Sequence, residues 1–144
     1  MPMTLVRPAA PLLAGLLVLS LAAAASAEIG AGGRFGSAFS SFLGGPALVG
    51  DFQIVTEGGR AFLEFGAGFK ARSAPDLKVF LSDRAPGEIT GGNATDGSVR
   101  LGLLMEFEGS QRYAIPRGTD LGKYSTVIVH CEQYSKLWGT GALQ

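Results

Sequence analysis

The chain has 144 residues, with 12 Lys and Arg against 12 Asp and Glu, so its formal charge balances. Charges scattered singly exclude the basic stripe of a nucleic-acid binder and the like-charge runs of a disordered tail. With a single cysteine, Cys131, no disulfide forms within the chain.

Arg7 precedes an apolar stretch over 12–25, and Ala25-Ser26-Ala27 follows it. A charged start, a short apolar run and small residues at the two positions a signal peptidase reads predict a signal peptide over 1–27, cleaved before Glu28. The run is broken by Gly15 and Ser20 and is short for a membrane span, which needs roughly 20 apolar residues. No span is therefore expected after cleavage. The lack of a polar face also argues against a helix of a soluble core. The mature chain, 28–144, has the size of one domain, and its expected location is secreted or periplasmic.

Residues 28–45 are rich in Gly, Ala and Ser and read as a flexible arm ahead of a domain over 46–144. Gly30, Gly32 and Gly36 do not make a dinucleotide loop, because Phe35 stands where that fingerprint needs a glycine, with no strand before it or helix after it. From Pro46 onward the pattern is strand-like. Ala61, Leu63 and Phe65 alternate with Phe62 and Glu64; Leu77, Val79 and Leu81 with Lys78, Phe80 and Ser82. Tyr113 and Ile115 flank Ala114, and Val127, Val129 and Cys131 alternate with Thr126, Ile128 and His130. This is the period of a β-strand. Glu57-Gly58-Gly59, Ala74-Pro75-Asp76, Ala85-Pro86-Gly87, Asp96-Gly97-Ser98 and Gly109-Ser110 supply the turns between runs. Many short strands between Gly/Pro turns predict an all-β fold, an antiparallel β-sandwich.

Several ordered motifs carry a family resemblance. Ala74-Pro75-Asp76-Leu77-Lys78-Val79-Phe80-Leu81-Ser82 is followed by 101–104 and by Gly109-Ser110-Gln111-Arg112-Tyr113-Ala114-Ile115-Pro116. Tyr124-Ser125-Thr126-Val127-Ile128-Val129-His130-Cys131 comes next, then Tyr134-Ser135, Trp138-Gly139 and Ala142-Leu143. In order and spacing these resemble the DM13 domain family over roughly 42–143. His130 stands where the family usually has Trp, and no histidine occurs near 44–50. The resemblance implies an all-β domain of an extracytoplasmic electron-transfer system. It also implies that the family's cysteine, here Cys131, acts as a free redox thiol or as a ligand to a group such as haem. The partner would be a redox or cell-envelope protein.

Read from the residues alone, Cys131 has three uses: an inert core cysteine, a redox thiol, or a cofactor ligand. The thiolate is the reactive and ligating form. His130 is adjacent, but successive side chains of a strand point to opposite faces, so the two cannot share one metal ion. Met105, Tyr113 and Tyr134 are candidate second ligands by type. His130, the one histidine, is expected at the surface. One Cys and one His are too few N/S ligands for the common zinc sites, and no calcium-loop spacing is visible. Asp76, Asp83 and Asp96 are expected to serve their own turns. Tyr113, Tyr134 and Trp138 either form an aromatic patch or close one end of the core. Asn93-Ala94-Thr95 is a glycosylation sequon. The absence of an acid–base constellation points away from a stand-alone enzyme. The remaining functional alternative is a non-catalytic binding or structural module of the cell envelope, with Cys131 as packing.

Overall fold

The structure is a computed structural model, and it describes Pro2 and residues 26–41 and 44–144. The expected signal peptide therefore lies almost wholly outside the described residues. The strands, in chain order, are β1 (Glu28–Arg34), β2 (Gly36–Ser37), β3 (Ser40–Ser41), β4 (Gly45–Pro46), β5 (Leu48–Val49), β6 (Asp51–Glu57) and β7 (Arg60–Phe65). They continue as β8 (Lys70–Ala71), β9 (Leu77–Ser82), β10 (Val99–Leu103), β11 (Gln111–Ala114), β12 (Thr126–Cys131) and β13 (Lys136–Ala142). Two single-turn 3-10 helices, Pro86–Glu88 and Leu121–Lys123, join them. No described helix is long and apolar enough to cross a membrane.

The fold is all-β, and each alternating run of the sequence lies in or along a strand. One sheet has the order β1-β6-β7-β11 and the other β10-β9-β12-β13-β2, with two small ribbons, β3-β4 and β5-β8, at the side. All pairings are antiparallel. Alternation sends Phe52, Ile54, Leu63, Phe65 and Tyr113 of the first sheet into one apolar cluster with Leu77, Val79, Leu81, Val127, Val129 and Cys131 of the second. Two sheets facing each other across shared side chains make a sandwich. Phe35 meets Phe65 and Phe69 edge to face, at centroid distances of 5.1 and 5.8 Å, and Phe65 and Phe69 lie tilted at 4.6 Å.

The second sheet is also covered on its outer face. Phe80 and Ile128 pack there against Ile89 and Ala94 of the connection between β9 and β10. All six residues of β12 are consequently buried.

Within the segment expected as a flexible arm, the residues of β1, β2 and β3 are paired backbone, which corrects the expectation for that part. β1 forms the edge of the first sheet against β6, and β2 pairs with β13 at the edge of the second. Gly32 also exchanges two backbone hydrogen bonds with Gln144, at 2.9 and 3.1 Å. Residues 28–37 thus pass from one sheet to the other and close that side of the sandwich. Gly32 and Gly33 serve close approach: a Cβ on Gly33 would collide with the carbonyl oxygen of Ala142.

Candidate functional site around Cys131

Cys131 is the last residue of β12, between Leu77 of β9 and Lys136 of β13. The amide of Leu104 donates to Leu77 O at 2.8 Å, so Leu104, Leu77 and Cys131 form one row across the end of the sheet. As alternation requires, the thiol shares the inner face with Val127 and Val129, and all three are fully buried. The sulfur is a free thiol. It lines neither of two cavities at the surface. The larger, about 560 Å³, is a groove over Gln53, Glu64 and Arg112 on the outer face of the first sheet. The smaller, about 130 Å³, lies between residues 59–61 and 115–119.

The candidate second ligands do not converge on the thiol. Met105 and Tyr134 are more than half exposed. Tyr113 is buried in the same core, but its hydroxyl donates to Gln111 Oε1 at 2.6 Å and accepts from Met105 N at 3.1 Å. Burial pushes its pKa up to about 12, so it remains a neutral phenol. Among the described residues, no group of three or more His, Cys, Asp and Glu is placed to hold a metal ion. The expected aromatic patch is likewise dispersed. Tyr113 packs on Phe65, Tyr134 faces solvent, and Trp138 meets Phe39 edge to face at 5.0 Å while its Nε1 donates to Arg72 O at 2.9 Å.

His130 is buried, at 2 % exposure, which corrects the expected surface position. It does face away from Cys131, on the side of Ile128, with its ring 6.4 Å from that of Phe80. Ile89 and Ala94 of the connection between β9 and β10 pack on Phe80 and Ile128 of that same face. Its Nδ1 is enclosed without a hydrogen-bond partner among the described residues. Burial holds the imidazole below its ordinary range, against the pull of Glu132 and Asp76. The neutral form is therefore the folded form. An unfolded histidine takes up its proton near pH 6.5. Below that pH the unfolded chain binds the proton that folded His130 refuses, so stability falls as pH falls. Denaturant midpoints at pH 7.5 and 5.5 should show a decline that His130→Phe reduces. An equal decline in the variant would place the sensitivity elsewhere.

A charged network that sequence reading missed ties down the hairpin after Cys131. Asp76, expected to serve its own turn, reaches across the fold. Its Oδ2 accepts from Gln133 N at 2.9 Å and its carbonyl oxygen from Glu132 N at 3.2 Å. Lys78 bridges Asp76, at 3.1 Å, and Glu132. Arg100 of β10 pairs with the other oxygen of Glu132. These contacts hold Glu132 below its ordinary pKa, chiefly through Lys78, and raise Lys78 through Glu132 and then Asp76. The sequon residue Asn93 is similarly occupied. Its amide donates to Glu88 O at 3.0 Å and its Oδ1 accepts from Thr90 N at 2.8 Å.

A family model described as "Electron transfer DM13" matches residues 44–143. The chain belongs to the DM13 family. No curated protein and no solved structure matches it significantly. The family match covers the two long hairpins that frame Cys131 and leaves out β1 and β2, although both are paired into the DM13 sandwich. A haem held by Cys131, one use implied for the family's cysteine, does not fit the residues present. The sulfur is fully enclosed, lines neither of the two cavities above, and belongs to an apolar cluster.

Proposed function

We propose that this DM13 domain is exported by the leader-like segment 1–27 and serves an extracytoplasmic electron-transfer system through thiol exchange at Cys131. The family match carries this reading. It is supported by the place of the thiol, at the last position of β12, where the hairpin turn follows directly. Thiol–disulfide exchange is an electron chemistry open to a lone thiol when a partner supplies the disulfide. The Cys131 thiolate attacks one sulfur of a partner protein's disulfide. A Cys131–partner S–S bond forms and the partner's other sulfur leaves as a thiolate.

One observation favours a second reading, an envelope module in which Cys131 only packs. The thiol is fully buried within an aliphatic and aromatic cluster. The two readings separate under a small disulfide probe, 4,4′-dithiodipyridine, on protein isolated from the exported fraction, whose intact mass should show a chain starting at Glu28. The redox reading expects the native protein to react faster than global unfolding allows, with Cys131→Ala and Cys131→Ser melting alike. Packing expects reaction only on unfolding. It also expects Cys131→Ser to lose roughly 1–3 kcal/mol, because a hydroxyl is buried without an assured partner. Cys131→Ala should then lose less, since it leaves a small void and no stranded polar group. That second result would overturn the redox reading.

A further inference from the structure

Cys131 is enclosed, yet the chemistry proposed for it requires contact with another sulfur. The question is which part of the fold yields first. Along β12 the thiol is the residue nearest the turn, while Val127 and Val129 lie deeper in the paired ladder. Beyond it, residues 132–135 form the hairpin end that leads into β13.

That end carries opposing influences. Closure comes from the clasp: Asp76 accepts two backbone amides of the turn, while Lys78 and Arg100 hold the Glu132 carboxylate from β9 and β10. Charge-assisted hydrogen bonds are stronger than neutral ones, and Lys78 and Glu132 are only 17 % and 30 % exposed, so screening of this pair is reduced. Opening is favoured by two features. His130, next to Cys131, has a buried nitrogen that, among the described residues, has no partner and would gain water if the end opened. Ser135, a non-glycine residue, sits at φ 48°, in the left-handed region. The pairing of β12 with β13 also shifts register between Val129 and His130, so the ladder is interrupted just before the thiol.

We propose that the Asp76–Lys78–Glu132–Arg100 clasp is a gate: its local release lifts the end of the β12–β13 hairpin and admits a partner's sulfur to Cys131. This deepens the redox reading above by naming what regulates access to the thiol. Local opening of this kind occurs without global unfolding and is governed by the few contacts that hold the opening unit.

The test measures the reaction of the full exported chain with 4,4′-dithiodipyridine, alongside its denaturant midpoint. Glu132→Gln and, separately, Arg100→Gln should each accelerate native labelling roughly tenfold, the effect of losing one charge-assisted hydrogen bond from the closed state. The midpoint falls as well, because the bond is lost relative to the unfolded chain too; the gate is read from native labelling that outruns global unfolding and rises little with urea below the transition. Arg112→Gln removes two ion pairs from the other sheet, those of Arg112 with Glu57 and Glu64, and should leave labelling unchanged. High salt should accelerate the wild type more than Glu132→Gln. Unchanged labelling in both clasp variants, equal acceleration by Arg112→Gln, or labelling of the variants with the full urea dependence of global unfolding would overturn the gate. The outcomes also separate the two proposals. If the wild type labels fast and the clasp variants match it, the gate falls and the redox reading stands. If the wild type labels only on unfolding while the variants label through local opening, the gate stands and the redox reading falls.

Discussion

Phe69→Ala is expected to destabilise the domain by about 3–5 kcal/mol, the range for removing a buried aromatic ring. Phe69 is 1 % exposed and lies between β7 and β8, outside any strand. Its ring is 4.6 Å from Phe65 and 5.8 Å from Phe35. It therefore joins the first sheet to the glycine-rich segment that carries β1 and β2. Its backbone is pinned as well: its amide donates to Gly66 O at 3.0 Å and its carbonyl accepts from Gly109 N at 2.9 Å. A main chain held on both sides cannot collapse readily into the void, which places the cost high in the range. Phe69→Leu should lose distinctly less, since it keeps most of the buried apolar surface. Urea midpoints at unchanged slope measure the difference. Hydrogen exchange adds a local readout, because amides of 28–37 should lose protection in the alanine variant before those of β12 do. A midpoint for Phe69→Ala within about 1 kcal/mol of the wild type would show that the ring cluster does not hold that end together.

The strands that frame Cys131 were legible in the sequence because their pattern is local. In 77–82 and 126–131, alternation is strict enough to fix which side chains face the core, and it separates His130 from Cys131 correctly. The misread features all depend on contacts distant in sequence. Residues 28–45 look like a linker because glycine is the commonest turn and linker residue. Here Gly32 and Gly33 let backbones meet, and nothing local distinguishes a glycine that is flexible from one that is crowded. His130 was expected outside because an alternating strand usually has one wet face. The segment that covers that face contributes Ile89 and Ala94 from irregular backbone, with no periodicity to reveal it. Asp76 looked like a turn residue and is one, but its second oxygen bonds an amide 57 positions away. Only the register of β9 against β12 brings that amide near. The thiol was identified as the candidate centre, whereas the charged clasp beside it could be seen only after folding.

The crowded glycines give the other large effect, at Gly139. This residue follows Trp138 in β13 and has a partner on each side, Val129 of β12 and Ser37 of β2. A Cβ added there would meet Gly36 O at 2.4 Å and the Leu48 side chain at 2.7 and 3.2 Å. The first of these is backbone and cannot turn aside as a side chain can. Nor can Leu48 withdraw easily. It is fully buried, and the hydroxyl of Ser37 accepts from the amides of Ala47 at 2.7 Å and Leu48 at 3.3 Å. Gly139→Ala must therefore separate β2 from β13, losing that edge pairing and opening the core beside Leu48. The expected cost is about 3 kcal/mol, the upper end of the range for forcing atoms into packed space, with a fall in Tm on the order of 10 °C. Gly87→Ala is the control. Nothing lies within 4 Å of its added Cβ, so its melt should stay close to that of the wild type. Thermal and urea melts of both variants decide the matter. If Gly139→Ala melts like Gly87→Ala, β2 is not held against β13 as the register requires, and glycine at this position has no steric reason.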